Sequence, residues 1–300
     1  MIQKNSLQSF QKTESVEILG MPHAYQLTPP VSDPAAPVLV FIHGWLLSRH
    51  YWQPLVERSR DCYQCLAYDL RGFGDSQIRD SAIATSGRGY TLAEYAEDLN
   101  LLLQTLNLQN VWLIGHSLGG SIALWAAKLN RDRILGTICI NAGGGIYLKE
   151  EFERFRTVGT QLVKRRPRWL RSVPGLAWLF ARAMVARPLE RRWGKQRLVD
   201  FLEADPRAAL GSLLETTTEA EVHQLPQVVA SLERPTYFLA GDRDNVMELK
   251  YVLHLASFHP LFENCGRNVI EIAECGHLAM LEQPDLVAAK IRSIVLAQGC

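Results

Sequence analysis

The sequence predicts an α/β protein: a doubly wound, mostly parallel sheet with helices on both faces and a helical cap inserted between two strands. Three observations lead there. Short β-rich apolar runs recur along the chain with helical patterns between them. The first strong run is continuous rather than alternating, as expected of a strand covered on both faces. One central stretch, residues 146–234, is helical in pattern throughout and contains no convincing strand.

The elements follow in order. PVLVFI at 37–42 is the first strong strand, and it ends in His43-Gly44. Similar runs fall at 62–68, 111–114, 134–140, 236–240 and 269–272. Helical patterns occupy 51–58, 92–106, 118–129, 246–258 and 285–296. In the second of these Leu92, Tyr95, Ala96, Leu99, Leu102, Leu103 and Leu106 keep a spacing of three and four, and Thr91 with Glu94 forms a capping-box signature. Prolines at 167, 174, 188, 206 and 226 divide the central stretch into short pieces. The expected organisation is a core of residues 1–145 and 235–300 carrying a cap of residues 146–234. Residues 77–89 are expected to form a long surface loop.

Composition excludes several classes. With 300 residues, 47% hydrophobic and 21% charged, the chain can bury a sizeable core. A net charge of +1 gives no global attraction to nucleic acid or acidic membranes. The opening residues lack the apolar run of a secretory signal, and the uncharged stretch 99–127 is too rich in Asn, Gln and His for a lipid-exposed span. Of six cysteines only Cys62 and Cys65 have CxxC spacing, and no second pair or His-x-x-x-His completes a zinc site. Cys65 reads as a buried thiol. A soluble protein of a reducing compartment, the cytoplasm, is the expectation.

The chemistry concentrates in LIGHSLGGSIALW, residues 113–125. Gly-x-Ser-x-Gly is weak by itself, but here it follows a strand and opens a helix, the setting of a nucleophile elbow. Both glycines answer to crowding, because side chains beside so tight a turn would meet the adjoining strand or helix. Ser117 is the candidate nucleophile. The N–H of Leu118 at the helix N-terminus is a natural oxyanion donor. His116 adjoins the serine, yet strand neighbours point to opposite faces, so it reads as a packing or pocket-lining residue. His277, in the loop after the last strand, lies at the sheet edge where functional groups converge, and is the expected base.

With these residues the chain resembles an α/β-hydrolase. Four features carry the resemblance: His43-Gly44-Trp45 after the first strong strand, the D-x-R-G-x-G-x-S loop from Asp69 to Ser76, the elbow from Gly115 to Gly119, and Gly241-Asp242-Arg243-Asp244 followed by Gly276-His277. The resemblance implies a Ser117, Asp244, His277 triad in the family's chain order. The family places its acid three residues after the glycine, which selects Asp244 and leaves Asp242 to form the turn. Some members carry the acid after the strand before the insert, where this chain has the uncharged Asn141. A proline common shortly after the acid is missing in Asn245-Val246-Met247. The family also implies that the Trp45 N–H joins Leu118 in the oxyanion hole and that His43 supports the oxyanion loop. His43, Gly44 and His116 are expected at the substrate pocket, and Asp69 with Arg71 is expected to be a turn-fixing pair.

The implied reaction is acyl transfer through an acyl-enzyme, with no metal or organic cofactor. The expected substrate is a small apolar carboxylic ester. A cofactor-free lyase or carbon-carbon hydrolase resembling the menaquinone-pathway synthase is the alternative. That synthase typically has S-L-G-G-R at the elbow, where this chain has Ser121. Dehalogenases and epoxide hydrolases carry Asp at the nucleophile position, so Ser117 argues against both. A catalytically inactive binding protein of the same fold is the third reading.

Residues 149–197 hold fourteen of the 32 Lys and Arg against four acids, with Trp169, Trp178, Phe180 and Trp193 interleaved. Three readings stand open: a cap with a solvated basic face, a cap closing over an apolar substrate, and an interfacial element touching anionic lipid through KRRPRWLR. No nucleic-acid recognition motif accompanies these charges, so nucleic acid is not an expected partner.

Overall fold

In the computed structural model, which describes residues 12–78, 87–143, 149–263 and 267–298, the chain opens with a hairpin. Strand β1 (Glu14–Ile18) turns through Leu19 and Gly20 into β2 (Met21–Leu27). Both turn residues have positive φ, 50° and 78°, as a two-residue hairpin turn requires. The chain then alternates: β3 (Val38–Ile42), α1 (Gln53–Ser59), β4 (Gln64–Tyr68), α2 (Leu92–Thr105), β5 (Val111–His116), α3 (Leu118–Leu129) and β6 (Ile134–Ile140). Thr91 and Glu94 form the capping box of α2.

Five helices follow β6: α4 (Lys149–Lys164), α5 (Leu176–Phe180), α6 (Arg191–Glu203), α7 (Pro206–Thr216) and α8 (Glu219–Ala230). A 3-10 turn at Arg168–Ser172 lies between the first two. Pro206 opens α7 after the cap Asp205, where a missing N–H does no harm. Pro226 divides nothing and lies inside α8. The sheet resumes with β7 (Thr236–Gly241), α9 (Leu249–Ala256) and β8 (Val269–Ile272), and the chain ends in α10 (Ala279–Glu282) and α11 (Pro284–Gln298).

The sheet order is β1-β2-β4-β3-β5-β6-β7-β8. The β1-β2 and β2-β4 pairs are antiparallel and all others parallel. The antiparallel edge was not visible in the sequence, because MPHAYQL lacks a β-branched run. Strand alternation sends β3 side chains to two cores. Leu39 and Phe41 join Leu55 of α1 and Ile291 of α11 on one face. Val40 and Ile42 join Leu99, Ile122, Leu225 and Val252 from α2, α3, α8 and α9 on the other. Within the helical insertion, α8 therefore packs into the sheet's own flank.

Cys65, Cys139 and Cys275 are buried free thiols and Cys62 is an exposed one, while Cys265 and Cys300 lie outside the described residues. Of the expected surface loop, residues 79–86 also lie outside them. No described helix is long and apolar enough to cross a membrane.

Candidate active site

Ser117 sits between β5 and α3 with φ 51° and ψ −119°, a strained backbone for a residue with a side chain. Space explains its glycine neighbours: an added Cβ on Gly115 would collide with the carbonyl of Gly119, and one on Gly119 with the carbonyl of Ile42. The Ser117 N–H donates to Ile140 O at 3.0 Å, tying the turn to β6. Leu118 is the first residue of α3, so its N–H has no intrahelical acceptor and carries the helix's positive end. Trp45 follows β3. Leu46, with φ 56°, folds the segment back, and the Trp45 indole N–H donates to Ala209 O of α7 at 2.9 Å.

Asp244 and His277 meet at 2.8 Å between Oδ2 and Nδ1, both nearly inaccessible to solvent. The second carboxylate oxygen, Oδ1, accepts the N–H groups of Val246 at 2.8 Å and Met247 at 2.9 Å. A proline at either position would remove one of these donors, which accounts for its absence here. Asn141 at the end of β6 donates its amide to Asp244 Oδ2 at 2.8 Å and to Gly276 O at 3.2 Å. Burial alone would raise the Asp244 carboxyl, but His277 and the backbone donors outweigh it and hold the group below its ordinary value. Asp242 is exposed and accepts the Cys275 N–H at 3.1 Å, closing the turn.

The loop carrying His277 is fastened from two sides. Its own N–H donates to Met184 O of the insertion at 2.9 Å. The Glu282 carboxylate accepts the N–H groups of Gly276 (3.1 Å) and Leu278 (3.2 Å), and also those of Ala186 (2.7 Å) and Arg187 (3.2 Å) from the insertion. One carboxylate thus joins the histidine loop to the insertion. Sequence reasoning missed Glu282 and the donor role of Asn141; only the five-residue spacing from His277 hinted at the former.

His116 lies under this loop. Its ring meets His277 edge-on at 4.8 Å, and Nε2 donates to His277 O at 2.7 Å. Burial first, and His277 second, push its pKa down to about 3, so the ring is neutral. His43 is equally engaged. Nε2 accepts the Leu70 N–H at 2.9 Å, which leaves the proton on Nδ1 to reach Gly44 O at 2.8 Å. Burial lowers its pKa as well.

A pocket of about 100 Å³ opens on the serine. Trp45, Leu92, Ser117, Leu118, Ser121, Gly143, Val246 and Met247 line it from the sheet side, and Phe155, Ser212, Leu213, Thr216 and Thr217 from the insertion. The expected pocket residues His43, Gly44 and His116 do not line it: His43 bonds backbone through both ring nitrogens and His116 through Nε2. Among the described residues that line it, none is ionisable. A larger cleft of about 750 Å³ beside β2 and α1, lined by Pro29, Pro30, Arg49 and His50 among others, contains none of Ser117, Asp244 or His277.

The expected Asp69–Arg71 pair does not form. Asp69 pairs with Arg49 and accepts the Asp75 N–H at 2.8 Å. Arg71 turns toward α2, pairing with Asp98 at 3.1 Å under the rings of Tyr90 and Tyr95. Stacking on two aromatic faces draws the guanidinium away from the turn. Among the described residues no group of three or more His, Cys, Asp and Glu is placed to hold a metal.

Residues 37–284 match the sequence pattern of the alpha/beta hydrolase fold. The chain is 26% identical over 266 residues to the 2-succinyl-6-hydroxy-2,4-cyclohexadiene-1-carboxylate synthase of Salmonella heidelberg, covering 88% of this chain and 95% of that one. The Salmonella typhimurium synthase of the same name is 27% identical over 267 residues, with the same coverage. Among solved structures, a thermophilic esterase from Thermogutta terrifontis superposes with a TM-score of 0.76 at 22% identity, covering 96% of this chain and all of that one. A putative lipase from Acinetobacter baumannii superposes with a TM-score of 0.78 at 19% identity, covering 96% and 91%.

Proposed function

The chain belongs to the α/β-hydrolase family, and from that premise we propose that it is a serine hydrolase cleaving a small carboxylic ester with an apolar part. The observation that carries this reading is the buried Asp244–His277 pair, 2.8 Å apart, on the same sheet edge as a serine in a strained turn facing an apolar pocket. Ser117 Oγ attacks the acyl carbonyl as His277 Nε2 takes its proton, and the same nitrogen then protonates the leaving alcohol. Asp244 fixes the proton on Nδ1 and stabilises the imidazolium, and the Asn141 amide holds the carboxylate in place. The N–H groups of Trp45 and Leu118 receive the oxyanion, each contributing ~3 kcal/mol in comparable sites. Water then repeats the sequence on the acyl-enzyme.

The insertion acts as the cap over this pocket. Phe155, Leu213 and the hydroxyls of Ser212, Thr216 and Thr217 meet the substrate from above. At about 100 Å³ the pocket holds roughly three water volumes, which favours a short acyl group.

Likeness to the Salmonella synthases supports a second reading, cofactor-free elimination or carbon-carbon cleavage on the same triad. Their product name specifies a carboxylate, and among the described residues that line this pocket none is basic and Ser121 stands near the elbow. That favours the ester. A panel of p-nitrophenyl esters of increasing chain length, run with the wild type and Ser117→Ala, tests the proposal. Hydrolysis of the short esters that the substitution abolishes is the expected result. Near-normal turnover by the variant, or labelling of Ser117 by a fluorophosphonate without turnover of any ester, sinks it.

A further inference from the structure

Exposed apolar and basic side chains are concentrated in one stretch of the insertion. Of thirteen exposed large hydrophobic residues, six fall within residues 158–184: Val158, Leu162, Trp169, Trp178, Leu179 and Met184. Trp169 is 66% and Trp178 53% exposed, far from the usual fate of a tryptophan. Residues 164–192 carry nine Lys and Arg against the single acid Glu190. Among the described residues no carboxylate pairs with Lys164, Arg165, Arg168 or Arg191. The 3-10 turn bearing Trp169 and the short helix α5 bearing Trp178 both pack on α6, which fixes them to one element. Arg182 stacks on the Trp178 ring at 3.8 Å, holding the indole at the surface beside a cation.

We propose that this patch docks the protein on an anionic lipid surface. Tryptophan at the headgroup boundary, apolar side chains reaching below it and arginines pairing with lipid phosphates are the combination an interfacial element needs. The active-site pocket takes no lining residue from 158–184, so the patch has a role apart from holding substrate. Charge complementarity selects the partner: the whole chain carries only +1, and the excess is local. The inference is independent of which reaction Ser117 performs.

Flotation with phosphatidylcholine vesicles, with and without phosphatidylglycerol, tests this directly on the full chain. Binding is expected only with the anionic lipid, weakening as salt rises. Arg165→Gln with Arg168→Gln should lower partitioning by about fivefold per charge. Trp169→Phe with Trp178→Phe should remove the blue shift of tryptophan emission that anionic vesicles cause. All four positions are solvent-facing, and unchanged thermal melting of the variants shows that folding is intact. Absence of flotation with anionic vesicles overturns the proposal, as does flotation that neither pair of substitutions affects. Tighter binding to single-stranded RNA, which displaces the protein from vesicles, also overturns it.

Discussion

The amide of Asn141 donates to the same oxygen of Asp244 that holds His277. The end of β6, where some members of the family carry the acid, here holds Asp244, the acid of the proposed triad, which follows β7. Replacing Asn141 with Leu removes a hydrogen bond to a charged acceptor, an interaction of about 1.5–3 kcal/mol. Ester hydrolysis is expected to fall roughly tenfold to a hundredfold, mainly in kcat. Asn141→Asp should be worse, because two carboxylates would compete for one site. Steady-state kinetics of the pair decide it; equal activity of wild type and Asn141→Asp would remove Asn141 from the machinery.

His116 and His277 stand side by side, and the proposed mechanism gives the role of base to His277. His116 is neutral and has its Nε2 proton fixed on the His277 carbonyl. His116→Gln can keep that donor, so at least a tenth of wild-type activity is expected. His277→Ala should lose about 10³-fold or more. Rates of fluorophosphonate labelling give the same comparison without a substrate. Greater loss from His116→Gln than from His277→Ala would reverse the assignment.

Glu282 fastens the histidine loop to the insertion, and in the proposed mechanism it is a positioning residue. Its carboxylate gathers N–H donors from Gly276 and Leu278 on one side and from Ala186 and Arg187 on the other. Glu282→Ala leaves these donors without their acceptor, at about 1–3 kcal/mol for each one that stays buried. The expected result is a lower kcat with little change in KM, and a lower Tm. Glu282→Gln keeps one acceptor oxygen and should recover part of both. If Glu282→Ala moved only Tm, the residue would be structural alone.

Continuous apolar runs made the parallel strands legible, since their burial on both faces leaves one plain pattern. The β1-β2 hairpin was hidden because Pro22 and His23, which pair with β1 alone, interrupt any apolar run in β2. Ser117 and His277 were legible through glycine spacing and chain order. Asn141 was not, and neither was the tie from Glu282 to Ala186 and Arg187, because these hydrogen bonds join segments far apart in sequence and no local pattern records them. Arg71 failed for a related reason: adjacency to Asp69 along the turn says nothing of the Tyr90 and Tyr95 rings that draw it away.

Asp200 of α6 is a buried carboxyl joined to the segment after β3, accepting from Ser48 Oγ and Gln196 Nε2 at 3.0 Å each. Burial pushes its pKa from 3.8 up to about 7, only partly opposed by the hydrogen bonds from Ser48 and Gln196. A raised carboxyl pKa means that the folded state keeps a proton the unfolded chain releases. Its contribution is therefore present below the unfolded pKa and is lost as pH rises toward about 7, levelling off above that. The loss is at most about 4 kcal/mol, from roughly three pKa units at 1.36 kcal/mol each. Asp200→Asn cannot ionise, so its stability relative to wild type should grow steadily between those two pKa values. Urea unfolding of both proteins across that range measures the difference, in which every other titrating group cancels. A difference that stays flat with pH would mean that Asp200 is already ionised in the native fold, held by its donors against burial.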